Sequence, residues 1–79
     1  MTMSRADISE WMSNYLESQL DLTLDWRSKS KTFGELGLSS AEVLEMVFSL
    51  SEWLSEEIDE TIPFEYPTIE TLSEYLANG

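Results

Sequence analysis

The sequence predicts an all-α fold, a bundle of three longer helices and one short helix, with a long loop between the first two. Three observations lead there. Apolar residues recur at the 3, 4, 7, 8 spacing of a helix face in three separate stretches. Start signals stand ahead of two of them, Ser4 with Asp7 and Ser39 with Glu42, each three residues apart as in a capping box. The chain has 79 residues and no cysteine, so one domain, 1–79, must hold a thin core together by packing alone; an apolar share of 42% is enough for that.

The first helix is expected from near Arg5 to near Leu20, with Ile8, Trp11, Met12, Tyr15, Leu16 and Gln19-Leu20 along one face. Residues 21–38 form the long connection. A structureless loop of that length is unusual in a compact domain, but Leu22, Leu24, Trp26, Phe33, Leu36 and Leu38 supply apolar anchors along it. A helical turn is expected at Phe33-Gly34-Glu35-Leu36, whereas a hairpin built on Leu22-Thr23-Leu24 finds no convincing partner. The second helix should run from Ser40 to Leu54 or Ser55, with Gly37 turning the chain before it and Val43, Met46, Val47, Leu50, Trp53 and Leu54 on its core stripe. Pro63 limits the stretch from Ile58 to Phe64 to a short element. Pro67 and Thr68 open a last helix, with Ile69, Leu72, Tyr75 and Leu76 inward and Asn78-Gly79 as its stop. Trp11, Tyr15, Trp26, Trp53 and Tyr66 read as core or core-edge fillers.

Charge and composition exclude several functions. Net charge is −12, and it is lopsided: residues 1–31 carry all four basic residues against five acids, while residues 32–79 carry eleven acids and no Lys or Arg. Such a surface repels phosphate backbones and anionic lipid, so neither nucleic acid nor membrane is an expected partner, and basic protein patches are. No basic residues interleave with Trp11, Tyr15, Trp53 or Tyr66, as nucleic-acid binding would need. Without Cys or His the chain lacks a thiolate nucleophile, the usual neutral-pH acid–base and the commonest metal ligand. The cluster Glu56, Glu57, Asp59 and Glu60 reads first as solvated helix-end acids, with loose divalent-ion binding as the alternative and no metal site expected. No apolar run reaches membrane-spanning length and no secretory signal opens the chain, so a cytoplasmic monomer that is not an enzyme is expected.

Two features point to function. At about 100° per residue, Leu44 and Phe48 fall roughly 100° or more from the centre of the second helix's core stripe. Ala41 joins their side and Glu45 and Glu52 flank it, as a partner-docking strip requires: apolar area for burial, acids for steering; the alternative is that the bundle surrounds this helix and buries both faces. The other feature is the pair Ser39-Ser40 at the helix start. Ser39 fits the helix cap. Ser40, left over as the first helical residue, places an oxygen where a helix end favours a phosphate ester. No His, Lys or Cys stands beside it to make it a nucleophile, so any chemistry there must be installed by another enzyme.

Phe33-Gly34-Glu35-Leu36-Gly37-Leu38-Ser39-Ser40-Ala41-Glu42 resembles the carrier-protein signature F-x-x-L-G-x-D-S-L followed by an acidic or polar residue. Phe64 to Leu76, read FEYPTIETLSEYL, is similar to the F-[DE]-Y-P-T-[IV]-x-x-L-x-x-[YH]-L stretch that closes acyl carrier domains of polyketide synthases, and Glu52-Trp53-Leu54 matches a common variant at the end of their second helix. The resemblance spans residues 8–77 and implies a four-helix bundle of the acyl carrier type. It implies that a phosphopantetheinyl transferase moves 4′-phosphopantetheine from coenzyme A to Ser40, next to the cap residue Ser39. Acyl intermediates of polyketide or mixed polyketide–peptide biosynthesis are then held as thioesters on that arm. The implied partners are an acyl-loading enzyme (acyltransferase or acyl-activating ligase) and a ketosynthase or other synthase domains, docking on Ala41, Glu42, Leu44, Glu45, Phe48 and Glu52.

Two positions depart from the signature: the usual Asp before the modified serine is Ser39, and the usual Leu after it is Ala41. They support an alternative, a degenerate carrier-like module that recruits proteins without being modified. An unrelated acidic helical adaptor would explain the charge and the Leu44/Phe48 strip but leave both motifs as coincidence. Met1 suggests a free-standing protein, and an excised synthase domain would read the same.

Overall fold

The computed structural model describes residues 3–78, so the expected stop at Gly79 lies outside the described residues. Helix α1 (Arg5–Gln19) begins at Ser4, whose hydroxyl accepts the Asp7 backbone N–H at 3.1 Å. Only this half of the expected capping box is made; Asp7, a methylene shorter than the usual Glu, does not complete it. Helix α2 (Ser40–Leu54) ends with Ser55 in the left-handed conformation, φ 55°. There the Glu56 N–H donates to the Ser51 carbonyl (3.1 Å) and the Ser55 N–H to that of Glu52 (3.2 Å), a Schellman-type stop. Helix α3 (Ile62–Glu65) is one turn long, with Pro63 in its opening positions where a missing N–H costs no helical bond. Helix α4 (Ile69–Asn78) starts at Thr68, whose Oγ1 accepts the Thr71 N–H at 3.0 Å.

The core is where the periodicity puts it. Ile8, Met12 and Leu16 of α1 meet Val43, Met46, Val47 and Leu50 of α2 and Ile69 and Leu72 of α4, with Phe33 and Leu38 inserted from the long loop. Helix α1 packs on both α4 and α2, and α3 sits against α2. Leu22, Leu24 and Leu36 anchor the loop as half-buried residues at the core's edge.

Several expectations need correction. Trp26 is no core filler; it is 85% exposed. Asp25 Oδ1 accepts the N–H groups of Arg27 (2.9 Å) and Ser28 (3.1 Å) and the Ser28 hydroxyl (3.2 Å). This knot buries Ser28 and turns Trp26 outward. A 3-10 turn, Ser28–Ser30, follows it and packs on α4, an element the sequence did not announce. Trp53 and Tyr75 lie at the core's rim rather than in it: Trp53 stacks on Trp11 at 5.7 Å between ring centroids and Tyr75 on Tyr66 at 4.4 Å. No hairpin forms at Leu22-Thr23-Leu24; the isolated bridge among the described residues joins Thr32 to Thr68.

Candidate functional site

The start of α2 is fixed from both sides. Gly37 has φ 94°, a conformation that L side chains rarely adopt, and a Cβ placed there would meet nothing within 4 Å, so backbone rather than crowding calls for glycine. Leu38 is buried and pins the chain one residue before the cap. Upstream, Thr32 and Glu35 close a reciprocal pair: the Thr32 N–H donates to the Glu35 carboxylate (2.8 Å) and the Glu35 N–H to Thr32 Oγ1 (3.0 Å). The Leu36 and Gly37 N–H groups reach the Thr32 and Gly34 carbonyls at 3.0 Å, giving the expected helical turn at Phe33 to Leu36. The Phe33 N–H donates to the Pro67 carbonyl at 2.8 Å. The two signature stretches, remote in sequence, are therefore tied to each other through the backbone at the mouth of α4.

At the helix start the two serines part company. Ser39 has extended backbone and a full capping box: the Glu42 N–H donates to Ser39 Oγ (3.2 Å) and the Ser39 N–H to Glu42 Oε1 (2.8 Å). Its carbonyl accepts the Val43 N–H at 3.0 Å. Ser40 is exposed, and no hydrogen bond among the described residues engages its hydroxyl or the N–H groups of Ser40 and Ala41. A reachable hydroxyl beside free N–H donors at the positive end of a helix suits a serine-linked phosphodiester. The residues present fit such a group.

From Ser40 a ridge at four-residue spacing runs along α2 through Leu44 and Phe48 to Glu52. Leu44 is half-buried, Phe48 is 65% exposed, and Ala41, Glu45 and Glu52 are at the surface. Glu42 is half-buried with its carboxylate committed to the capping box, so within this set it is first a helix-start residue. An open cleft of about 410 Å³ lies beside the ridge, where Leu44, Val47 and Phe48 face Ile58, Glu57 and Glu60. Sequence reasoning did not place Ile58 here; its one signal was an isolated apolar residue amid acids. Asp59 instead closes a local turn, its Oδ1 accepting the Thr61 N–H (2.9 Å) and hydroxyl (2.8 Å).

This bundle, with an exposed serine opening its second helix, is the architecture of a prosthetic-group carrier. The phosphopantetheine attachment site family matches residues 10–76, and the chain belongs to it. The family carries 4′-phosphopantetheine. Over 72 residues, 91% of this chain, the sequence is 32% identical to a phenolphthiocerol/phthiocerol polyketide synthase polypeptide of Mycobacterium tuberculosis. Over 67 residues, 85% of the chain, it is 28% identical to polyketide synthase PksL of Bacillus subtilis. The chain spans 4% and 2% of the length of these relatives.

Proposed function

We propose that this chain is an acyl carrier of polyketide or mixed polyketide–peptide biosynthesis, folded as a single domain and modified at Ser40. The observation that carries the assignment is the division of labour at the start of α2: Ser39 is tied into the cap while the neighbouring Ser40 hydroxyl is exposed and unengaged. Once esterified there, 4′-phosphopantetheine supplies the thiol that a chain without cysteine lacks. The chain's own residues position and present. Ser39 and Glu42 hold the helix start, so the attachment point keeps a fixed direction. Ala41, Leu44, Glu45, Phe48 and Glu52 offer a partner enzyme a mixed apolar and acidic strip leading from that point. Tethering raises the local concentration of cargo at each partner's active site. Transferase, acyl-loading enzyme and ketosynthase are the partner classes this role requires, and the cytoplasm, where coenzyme A is at hand, is the proposed compartment. A catalytic role for the chain itself is not proposed: with no His, Lys or Cys beside Ser40, its hydroxyl has no activating base.

Intact mass after incubation with coenzyme A and broad-range transferases tests the assignment. The wild-type chain and Ser39→Ala should gain one phosphopantetheine, and Ser40→Ala none. Unshifted wild-type mass with several transferases would reject the carrier role in favour of an unmodified interaction module. A shift that persists in Ser40→Ala would move the attachment elsewhere.

A further inference from the structure

We propose that Trp26 and the basic residues around it form a second docking surface, one that takes an acidic patch on a partner protein. Trp26 is 85% exposed, the most exposed of the large apolar side chains described. The turn holds it there, because Asp25 and Ser28 lock the backbone on which it stands. The Arg27 guanidinium lies 5.6 Å from its ring centroid. Lys29 and Lys31 follow within the same short segment. Arg5 shares with Lys29 a cleft of about 390 Å³ that also takes in Glu70. All four basic residues of the chain are thus in or beside one segment, and the charged side chains elsewhere are acids alone. Among the described residues the one ion pair is Arg27 with Asp25, a loose contact of 3.7 Å between two exposed groups, and it leaves the lysines unpaired.

Trp and Arg are the residues that most often anchor protein interfaces, and a rigidly presented Trp loses little freedom on binding. Local positive charge selects an acidic counterpart. The counterpart is a protein patch rather than a polyanion, because the −12 net charge repels extended phosphate arrays and anionic membranes. The same net charge opposes a second copy of this chain. The segment packs on α4 rather than along α2, so a partner here would leave the Ser40 ridge open to another enzyme.

A benzophenone amino acid in place of Trp26 keeps an aromatic side chain at the position and allows photocrosslinking in the native host, followed by mapping of the joined peptide. The expected product is a crosslink to an acidic segment of one partner protein. With that partner purified, affinity should fall at least tenfold for Trp26→Ala and for the Lys29→Glu/Lys31→Glu double variant, and it should weaken with salt for the wild-type chain. Both variants should still gain phosphopantetheine at Ser40, which separates this surface from the carrier assignment and shows that they fold. Absence of any crosslink would overturn the proposal. So would a crosslink to nucleic acid, lipid or a second copy of the chain, or partner affinity unchanged in both variants.

Discussion

Ser39 and Ser40 are chemically identical, and one step along the backbone separates their roles. Ser39 stands before the first helical residue, where its oxygen can reach the Glu42 N–H; Ser40 stands one residue further, where it cannot. Ser39→Ala should therefore cost about 1 kcal/mol, a fall of about 4–8 °C in unfolding midpoint for a domain of this size. Ser39→Asp, which keeps a capping oxygen and adds charge, should unfold like wild type and accept the prosthetic group faster from a broad-range transferase. Circular dichroism and timed mass spectra check both; equal loading rates would show that the charge ahead of the serine is not what the transferase reads. Asp25 offers a test by pH. The Arg27 backbone N–H is the main reason its carboxyl titrates below the ordinary aspartate range; the Ser28 hydroxyl and the charges of Arg27 and Lys31 add to this, and desolvation opposes it. Because the folded value is the depressed one, the contribution to stability is present above the unfolded value of about 3.9 and is lost as pH falls through the folded value. The Arg27 and Ser28 amide resonances should therefore shift below about pH 3.9. In Asp25→Asn that step should vanish, while the Thr61 amide, bonded to the similarly lowered Asp59, still titrates.

Helix α2 shows how one element carries two surfaces. Leu50 is wholly buried and Phe48, two residues away, is 65% exposed. Truncating Leu50 to Ala should cost about 2–5 kcal/mol, whereas Phe48→Ala should stay within about 0.5 kcal/mol and act on partner binding instead. Urea midpoints for the two variants check this, and a large loss for Phe48→Ala would mean that the ridge belongs to the core. Periodicity made α1, α2 and α4 readable because each buries a continuous stripe, and the cap at Ser39 was readable because its box is local in sequence. The loop was only half readable. Leu22, Leu24, Phe33 and Leu38 announced themselves as anchors, but the direction of Trp26 depends on a hydrogen-bonded knot whose value hydrophobicity does not register. Trp53 and Tyr75 were drawn inward by their periodicity, yet each ring finds a stacking partner at the rim. The Phe33–Pro67 and Thr32–Thr68 contacts are non-local and follow from neither stretch alone. At the site, Ser40 and the exposed strip were legible as helical geometry; Ile58 and Glu57 across the cleft were not, since only the folded loop brings them to Phe48.

Taken whole, the molecule measures 30 × 24 × 21 Å and carries a net charge of −12. At about 0.01 M salt the screening length is about 30 Å, so every acid acts on every other across the bundle; at about 1 M it is about 3 Å, and only adjacent groups interact. Compaction brings these charges closer than the unfolded chain does, so repulsion opposes folding and screening should relieve it. The unfolding midpoint is expected to rise between these two salt conditions by several degrees, since about 1 kcal/mol corresponds to about 4–8 °C here. Salt also strengthens apolar burial, which would raise the midpoint of any variant alike. Lys29→Glu/Lys31→Glu separates the two effects, because it takes the net charge from −12 to −16 without touching the core. If repulsion governs, the double variant is less stable than wild type at low salt, has the steeper salt response and converges on wild type at high salt. Parallel curves with a constant offset would place the effect in the local turn rather than in the field of the whole molecule.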